Sequence, residues 1–209
     1  MADSTDFATT SEILEHLKTR RLRRAYLRDE KPPRLTIRQI LNAAASAPFQ
    51  SHDDLPPWRF IATDDASMIA SIARAVDPSD SGEPDYATPD SIGYNPKTYF
   101  KNAPWVVVML VKMPDAETAP EESRETIAYD MVVSYGAALG MLMAAAHIAG
   151  LACGWVGSFT ASPSCRVDSL EKLLGVKVPW RAYCIIPIGY TAEKGKIRER
   201  NYEEMVEFR

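Results

Sequence analysis

Glycine-rich phosphate fingerprints are missing from this sequence. Neither GxGxxG nor GxxxxGK[ST] occurs, so a Rossmann or P-loop nucleotide site has no support. GxSxG is absent as well, which removes the hydrolase elbow, and HExxH is absent, which removes the corresponding zinc site. Histidine is scarce: His16 falls in a surface helix, His147 in an apolar one and His52 in a loop. A lone histidine in either helix is ordinarily structural, and neither is assigned a role. Cysteine is scarce too. Cys153, Cys165 and Cys184 form an odd set without a CxxC pair, which excludes a disulfide framework and suggests reduced, buried thiols. The opening MADSTDFATTSE lacks a basic start followed by an apolar run, so no secretory signal is read and a cytoplasmic location is expected. Excess positive charge is missing: a net charge of -4 disfavours broad attraction to nucleic acid, though a local basic cluster can still hold one phosphate.

What is present is an ordinary globular mixture, 46% hydrophobic and 25% charged in 209 residues, which fits one α/β domain with a sizeable core. From Met131 to Cys153 the chain carries no Asp, Glu, Lys or Arg, long enough to raise the question of a membrane span. The stretch is dominated by Ala, Gly and Met and contains Ser134 and His147, so its hydrophobicity is low for lipid. A helix buried by protein on all sides is expected instead, with no membrane partner.

Thr9 and Glu12 have capping-box spacing, and Ile13, Leu14 and Leu17 share one face of the helix that follows. A second helix is expected from Thr36, with Gln39 at the capping-box position, until Pro48. Trp58 to Thr63 reads as a strand, and Asp65 caps a helix with Met68, Ile69, Ile72 and Val76 inward. Residues 77–96 carry Pro, Gly and five carboxylates but no Lys or Arg, as in an irregular surface insertion that could serve as a lid. Trp105 to Val111 is a β-branched run suited to an interior strand. A long helix from about Ser123 to Gly150, a short strand around Cys153 to Val156, a helix from Ser162 to Gly175 and a strand from Tyr183 to Ile188 complete an α/β or α+β layer fold.

Arg20, Arg21, Arg23, Arg24 and Arg28 concentrate positive charge after the first helix, which is costly without an anion. The planar guanidinium fork suits a phosphomonoester, while a solvated face paired with surface carboxylates explains the charge about as well. No set of acid, base and nucleophile accompanies the cluster, as expected where a cofactor carries the reactive atoms and the protein binds and orients it.

TRRLRRAYL, AAASAPFQSHDDLPPWRFIA, KNAPWVVVMLV, YGAALGMLMAAAHIAGLACGWVGSF and the closing IRERNYEEMVEF follow one another over nearly the whole chain. In order and spacing they resemble the nitroreductase family. That resemblance implies a central mixed, mainly antiparallel sheet flanked by helices, in an intertwined homodimer with FMN between the subunits. It implies an oxidoreductase in which NAD(P)H passes a hydride to FMN N5 and an organic acceptor such as a nitroaromatic, quinone or enone then takes the electrons, a ping-pong scheme with no catalytic side chain.

Residue by residue, the resemblance places Arg20, Arg21 and Arg24 on the FMN phosphate and ribityl chain, with Leu22 where the family commonly has Ser. Pro48, Phe49 and Gln50 stand in the loop that reaches the partner's flavin, and Pro56-Pro57-Trp58 replaces the usual Gln-Pro-Trp. Gly157 and Ser158 correspond to the strand end whose backbone approaches flavin N5 and O4. Arg198 and Arg200 match basic positions close to the phosphate. Asn95, Lys97 and Lys101 precede the interior strand where an amide and a cation stand near the flavin pyrimidine edge. The altered loop and the GWV turn leave two alternatives: a flavin-fragmenting or specialised flavin dehydrogenase, and a non-enzymatic flavin-sequestering protein.

Overall fold

Helices and strands alternate irregularly along the chain. The computed structural model describes residues 9–27, 29–50, 55–85, 94–112, 121–157, 167–192 and 205–207, the side chains of 122–124 excepted. In order these residues form α1 (Thr10–Lys18), α2 (Arg34–Ala45), β1 (Trp58–Thr63), α3 (Ala66–Val76), a 3-10 turn (Tyr99–Asn102), β2 (Trp105–Lys112), α4 (Glu121–Ile148), β3 (Ala152–Cys153), α5 (Val167–Leu174) and β4 (Trp180–Gly189).

The four strands make one sheet in the order β1-β2-β4-β3, and each described pairing is antiparallel, which gives an α+β architecture. β2 is central because Trp105 to Val111 is apolar on both faces, and all of it is buried. Alternation then divides the core. Trp105, Val107, Met109 and Val111 face α2 and α4, with Cys184, Ile186 and Ile188 from β4. Val106, Val108 and Leu110 face the other layer, where α3, α5 and the 3-10 turn contribute Ile72, Leu170 and Phe100. The β2–β4 register shifts between Met109 and Leu110, so Tyr183 is the extra residue of a bulge.

The capping box forms as its spacing suggests: Thr9 Oγ1 accepts from Glu12 N at 3.3 Å and Glu12 Oε2 accepts from Thr9 N at 2.6 Å. Asp65 caps α3 through Ser67 N at 2.8 Å. α2 begins two residues before Thr36, because Pro33, with φ at -58°, already holds the chain in a helix-entry conformation and no side-chain cap is needed. α4 is closed off by Gly150, two residues past its end, whose φ of +72° lets Leu151 N donate to Ala146 O at 2.9 Å. Gly175, at φ +66°, closes α5 in the same way through Val176 N and Glu171 O. The expected start of α5 at Ser162 lies outside the described residues.

Two expectations need correction. α4 is not covered on all sides within one chain. Tyr135, Ala138, Leu142 and Ala146 form its buried stripe, whereas Tyr129, Val132, Val133, Gly136 and Gly140 form an exposed one. Helix α1 likewise buries no residue, and Leu14 is 55% exposed. The acidic segment, for its part, is not wholly a surface loop. Asp80 is buried and forms an ion pair with buried Lys101 at 3.0 Å, because the cation that balances the loop's charge comes from the adjoining 3-10 turn.

Candidate functional site

The arginine-rich segment runs along the open edge of the sheet. β3 is an edge strand, and Arg23 N donates to Cys153 O at 3.3 Å while Leu27 N donates to Tyr190 O at 2.8 Å. These bonds lay residues 23–27 against the ends of β3 and β4. Arg24 stands over the Tyr99 ring at 5.9 Å from its centroid. Arg21 folds back, its Nη1 donating to Lys18 O at 3.0 Å and Arg20 O at 2.7 Å. Arg21 Nε and Arg23 Nη1 are buried with no acceptor. A buried donor of a charged group without an acceptor costs more than a neutral one, so this arrangement calls for an anion. Among the described residues no carboxylate forms an ion pair with Arg20, Arg21 or Arg23. Leu22 is partly exposed and brings no donor to the cluster.

The strand end after β3 faces the same edge. Val156 N donates to Ile185 O at 2.8 Å and Ile185 N to Val156 O at 2.9 Å. In such an antiparallel pair the neighbouring residues turn their N–H and C=O groups the other way, so the backbone of Trp155 and Gly157 faces away from β4. Trp155 is 46% exposed, and its ring lies on Gly157, where a Cβ would come 2.9 Å from Cζ3. Ser158 lies outside the described residues, as do Arg198 and Arg200. The thiol of Cys153 beneath the arginines is pushed up to about 11 by burial, against a smaller opposing pull from Arg20, so it stays protonated and inert.

Pro48, Phe49 and Gln50 lie elsewhere. Gln50 N donates to Ser134 Oγ at 3.0 Å, and Ser134 Oγ donates to Asp130 O at 2.7 Å, which ties the loop to α4. The Phe49 ring packs edge-on against Trp58 at 5.6 Å, and Trp58 opens β1, the opposite edge strand from β3. Three strand spacings, roughly 14 Å, therefore separate the two edges that carry the arginines and Phe49.

The amide and cation expected at a pyrimidine edge are already engaged. Asn95 Nδ2 donates to Asp77 Oδ2 at 3.2 Å and Asp80 Oδ2 at 3.5 Å, and its Oδ1 accepts from Lys97 N at 2.9 Å. Lys101 Nζ lies 3.0 Å from Asp80 Oδ1 and 2.9 Å from Asp85 Oδ2. Burial raises the Asp80 carboxyl, but hydrogen bonds from Thr98, Gly82 and Lys101 outweigh it and hold the group below 3.8. Asn95 and Lys101 thus fix their own acidic segment.

Gly154 and Tyr99 shape the site, and Ser134 and Asp80 anchor the 48–50 loop and the acidic segment, without having been singled out. A hydroxyl inside the uncharged apolar run was the signal for Ser134, and the glycine before Trp155 was the signal for Gly154. Tyr99 and Asp80 act through distant partners that no local pattern names.

The chain is thus an antiparallel α+β layer with an arginine-rich segment laid along one sheet edge. The Nitroreductase family model matches residues 17–190, and the chain belongs to that family, whose members are oxidoreductases. A Methanothermobacter thermautotrophicus protein with the provisional name NADH dehydrogenase/NAD(P)H nitroreductase is 27% identical over 188 residues, covering 90% of this chain and 82% of its own. An iodotyrosine deiodinase of Haliscomenobacter hydrossis is 28% identical over 170 residues, covering 77% and 71%. The solved FMN-dependent nitroreductase of Clostridium difficile superposes with a TM-score of 0.67 at 22% identity, covering 93% of this chain and 98% of its own.

Proposed function

We propose that this chain binds FMN along the β3 edge and, as a homodimer, moves reducing equivalents from NADH or NADPH to a small organic acceptor. The observation that carries this reading is the pair of buried guanidinium nitrogens without an acceptor, on Arg21 and Arg23, in the segment that lies against β3. Arg20, Arg21 and Arg24 hold the phosphate, with Arg198 and Arg200 proposed to reach it from the C-terminal segment. Gly157 and Ser158 present backbone donors to the ring. When bound, FMN supplies the two-electron chemistry, and the side chains bind, orient and exclude water.

The homodimer has its own support. Phe49 and Gln50 sit at the opposite sheet edge from the arginines, and a second copy would bring its own Phe49 and Gln50 to the flavin held beside β3. The exposed stripe of α4, Val132, Val133, Gly136, Gly140 and Met141, supplies an apolar face for that contact. Asn95 and Lys101, committed to Asp77, Asp80 and Asp85, are left out of the flavin contacts.

The test is steady oxidation of NADH or NADPH by the FMN-loaded protein with a panel of acceptors: a naphthoquinone, a nitroaromatic, an enone and a halogenated phenol. The last belongs there because one relative is named a deiodinase. Turnover with at least one member is expected. Binding of FMN with no turnover on any would leave a flavin-sequestering protein.

A further inference from the structure

His16 and His147, unrelated in sequence, meet in the structure. Each stands in the last turn of its helix, His16 in α1 and His147 in α4. Their rings stack with centroids 4.2 Å apart and planes 7° from parallel. His16 Nε2 lies 3.2 Å from His147 O, and His147 Nε2 lies 2.9 Å from His16 O. Each imidazole thereby approaches a C-terminal carbonyl of the other helix that already accepts a backbone N–H, from Thr19 at His16 O and from Gly150 at His147 O, both at 3.0 Å. Thr19 reinforces the joint, its Oγ1 lying 2.6 Å from His16 O and 3.1 Å from His147 Nε2.

The joint ends one residue before the anion site. Arg20 N donates to Leu17 O at 3.1 Å, and Arg21 Nη1 caps Lys18 O and Arg20 O, so both arginines take their position from the C-terminus of α1. Helix α1 buries no residue of its own, so little else in the chain fixes it.

We propose that His16 and His147 are positioning residues for the arginine site. Their stacked pair holds Arg20 and Arg21 in place while the rings are neutral and lets them go when both rings are protonated. The proposal rests on the reading that these arginines grip the flavin phosphate.

The charges around the pair set the sign. His147 faces the His16 ring, Arg20 and Arg23; the nearest titratable group on β3, the Cys153 thiol, stays neutral. Burial lowers His147 from 6.5, its bond to the His16 carbonyl works against that, and His16, Arg20 and Arg23 lower it further. At neutral pH the ring is uncharged and the joint closed. Toward the acid end of the imidazole range a proton on each ring would set two like charges face to face.

The experiment measures FMN dissociation constants by quenching of flavin fluorescence from about pH 5 to about pH 8, the imidazole range. The wild type is compared with His147→Phe, which keeps a ring for stacking and cannot take a proton. The second phosphate ionisation, near ~6, weakens binding in acid for both proteins, so their ratio is the readout. The wild-type constant should rise about tenfold more than the variant's between neutral and acid pH, as expected for two charges ~4 Å apart at intermediate screening. Parallel profiles would overturn the proposal. Should His147→Phe not fold, titration of the wild-type imidazole protons by NMR decides. One histidine should titrate below 6.5 with ring-current-shifted resonances, and three independent titrations at the ordinary value would overturn it. Parallel pH profiles with FMN bound remove the joint alone, whereas no FMN binding at any pH removes the cofactor reading and the proposal with it.

Discussion

The phenol of Tyr99 lies so close over Gly154 that a Cβ at position 154 would come 2.5 Å from its oxygen and 3.0 Å from the carbonyl oxygen of Arg23. Only a bare backbone lets the 3-10 turn, the edge strand and the arginine segment converge there. Gly154→Ala should cost about 1–3 kcal/mol in urea unfolding, the usual penalty for forcing extra volume into a packed site. It should also weaken FMN, because the displaced group carries Arg23. Unchanged stability and affinity would show that the convergence is not needed.

Lys101 is nearly buried between Asp80 and Asp85. Lys101→Met leaves Asp80 buried without its cation, and about 3 kcal/mol should be lost on chemical denaturation. FMN affinity should hold, since the lysine serves its own loop. A large loss of affinity with little loss of stability would return Lys101 to the flavin.

The same cluster makes stability depend on pH. Asp80 and Asp77 are held below 3.8, Asp80 despite its burial and Asp77 chiefly by the Ser79 hydroxyl. A carboxyl lowered on folding stabilises above its unfolded value, and that contribution disappears as pH falls through the folded value. Lys101 has the opposite sign: burial lowers it, but the hydrogen bonds and charges of Asp85 and Asp80 raise it above 10.5, so its contribution persists until pH climbs through that raised value. Unfolding midpoints should fall steeply below pH 3.8 in the wild type and less steeply in Asp80→Asn. Coincident acid limbs would contradict this assignment.

Among the described residues, beyond the helix's own adjoining backbone, nothing lies within 4 Å of a Cβ built at Gly136 or Gly140. Gly140→Leu therefore fits the single subunit and should raise helix propensity by about 1 kcal/mol. If this face is the contact between copies, the same change should shift a dimer to monomer in sedimentation and abolish FMN retention. A Gly140→Leu protein that stays dimeric and yellow would move the interface elsewhere.

How much could be read from residues alone follows from the range of the forces involved. β1, the centre of β2 and the Thr9–Glu12 box were legible, because periodicity and capping act over a few neighbours. The start of α2 was misplaced because a proline dihedral, unlike a hydroxyl cap, leaves no polar signature. The arginine cluster stood out as charge without balance, but its neighbours Tyr99 and Gly154 come from elements far along the chain. His16 and His147 looked like separate structural residues, and only the packing of α1 on α4 brings them within stacking distance. The Asp80–Lys101 pair was hidden for a similar reason, its cation lying beyond the loop whose composition had been read as solvated.

The central claim is that the guanidinium groups beside β3 neutralise the phosphate of a flavin. Titration calorimetry of FMN against riboflavin, on the wild type and on Arg20→Ala/Arg21→Ala, tests it most directly. The wild type should prefer FMN, and the double substitution should weaken FMN by roughly tenfold or more, given ~1.5–3 kcal/mol per charged hydrogen bond, while leaving riboflavin nearly unchanged. Equal affinity of the wild type for FMN and riboflavin, or a double variant that binds FMN as tightly as the wild type, would contradict the claim.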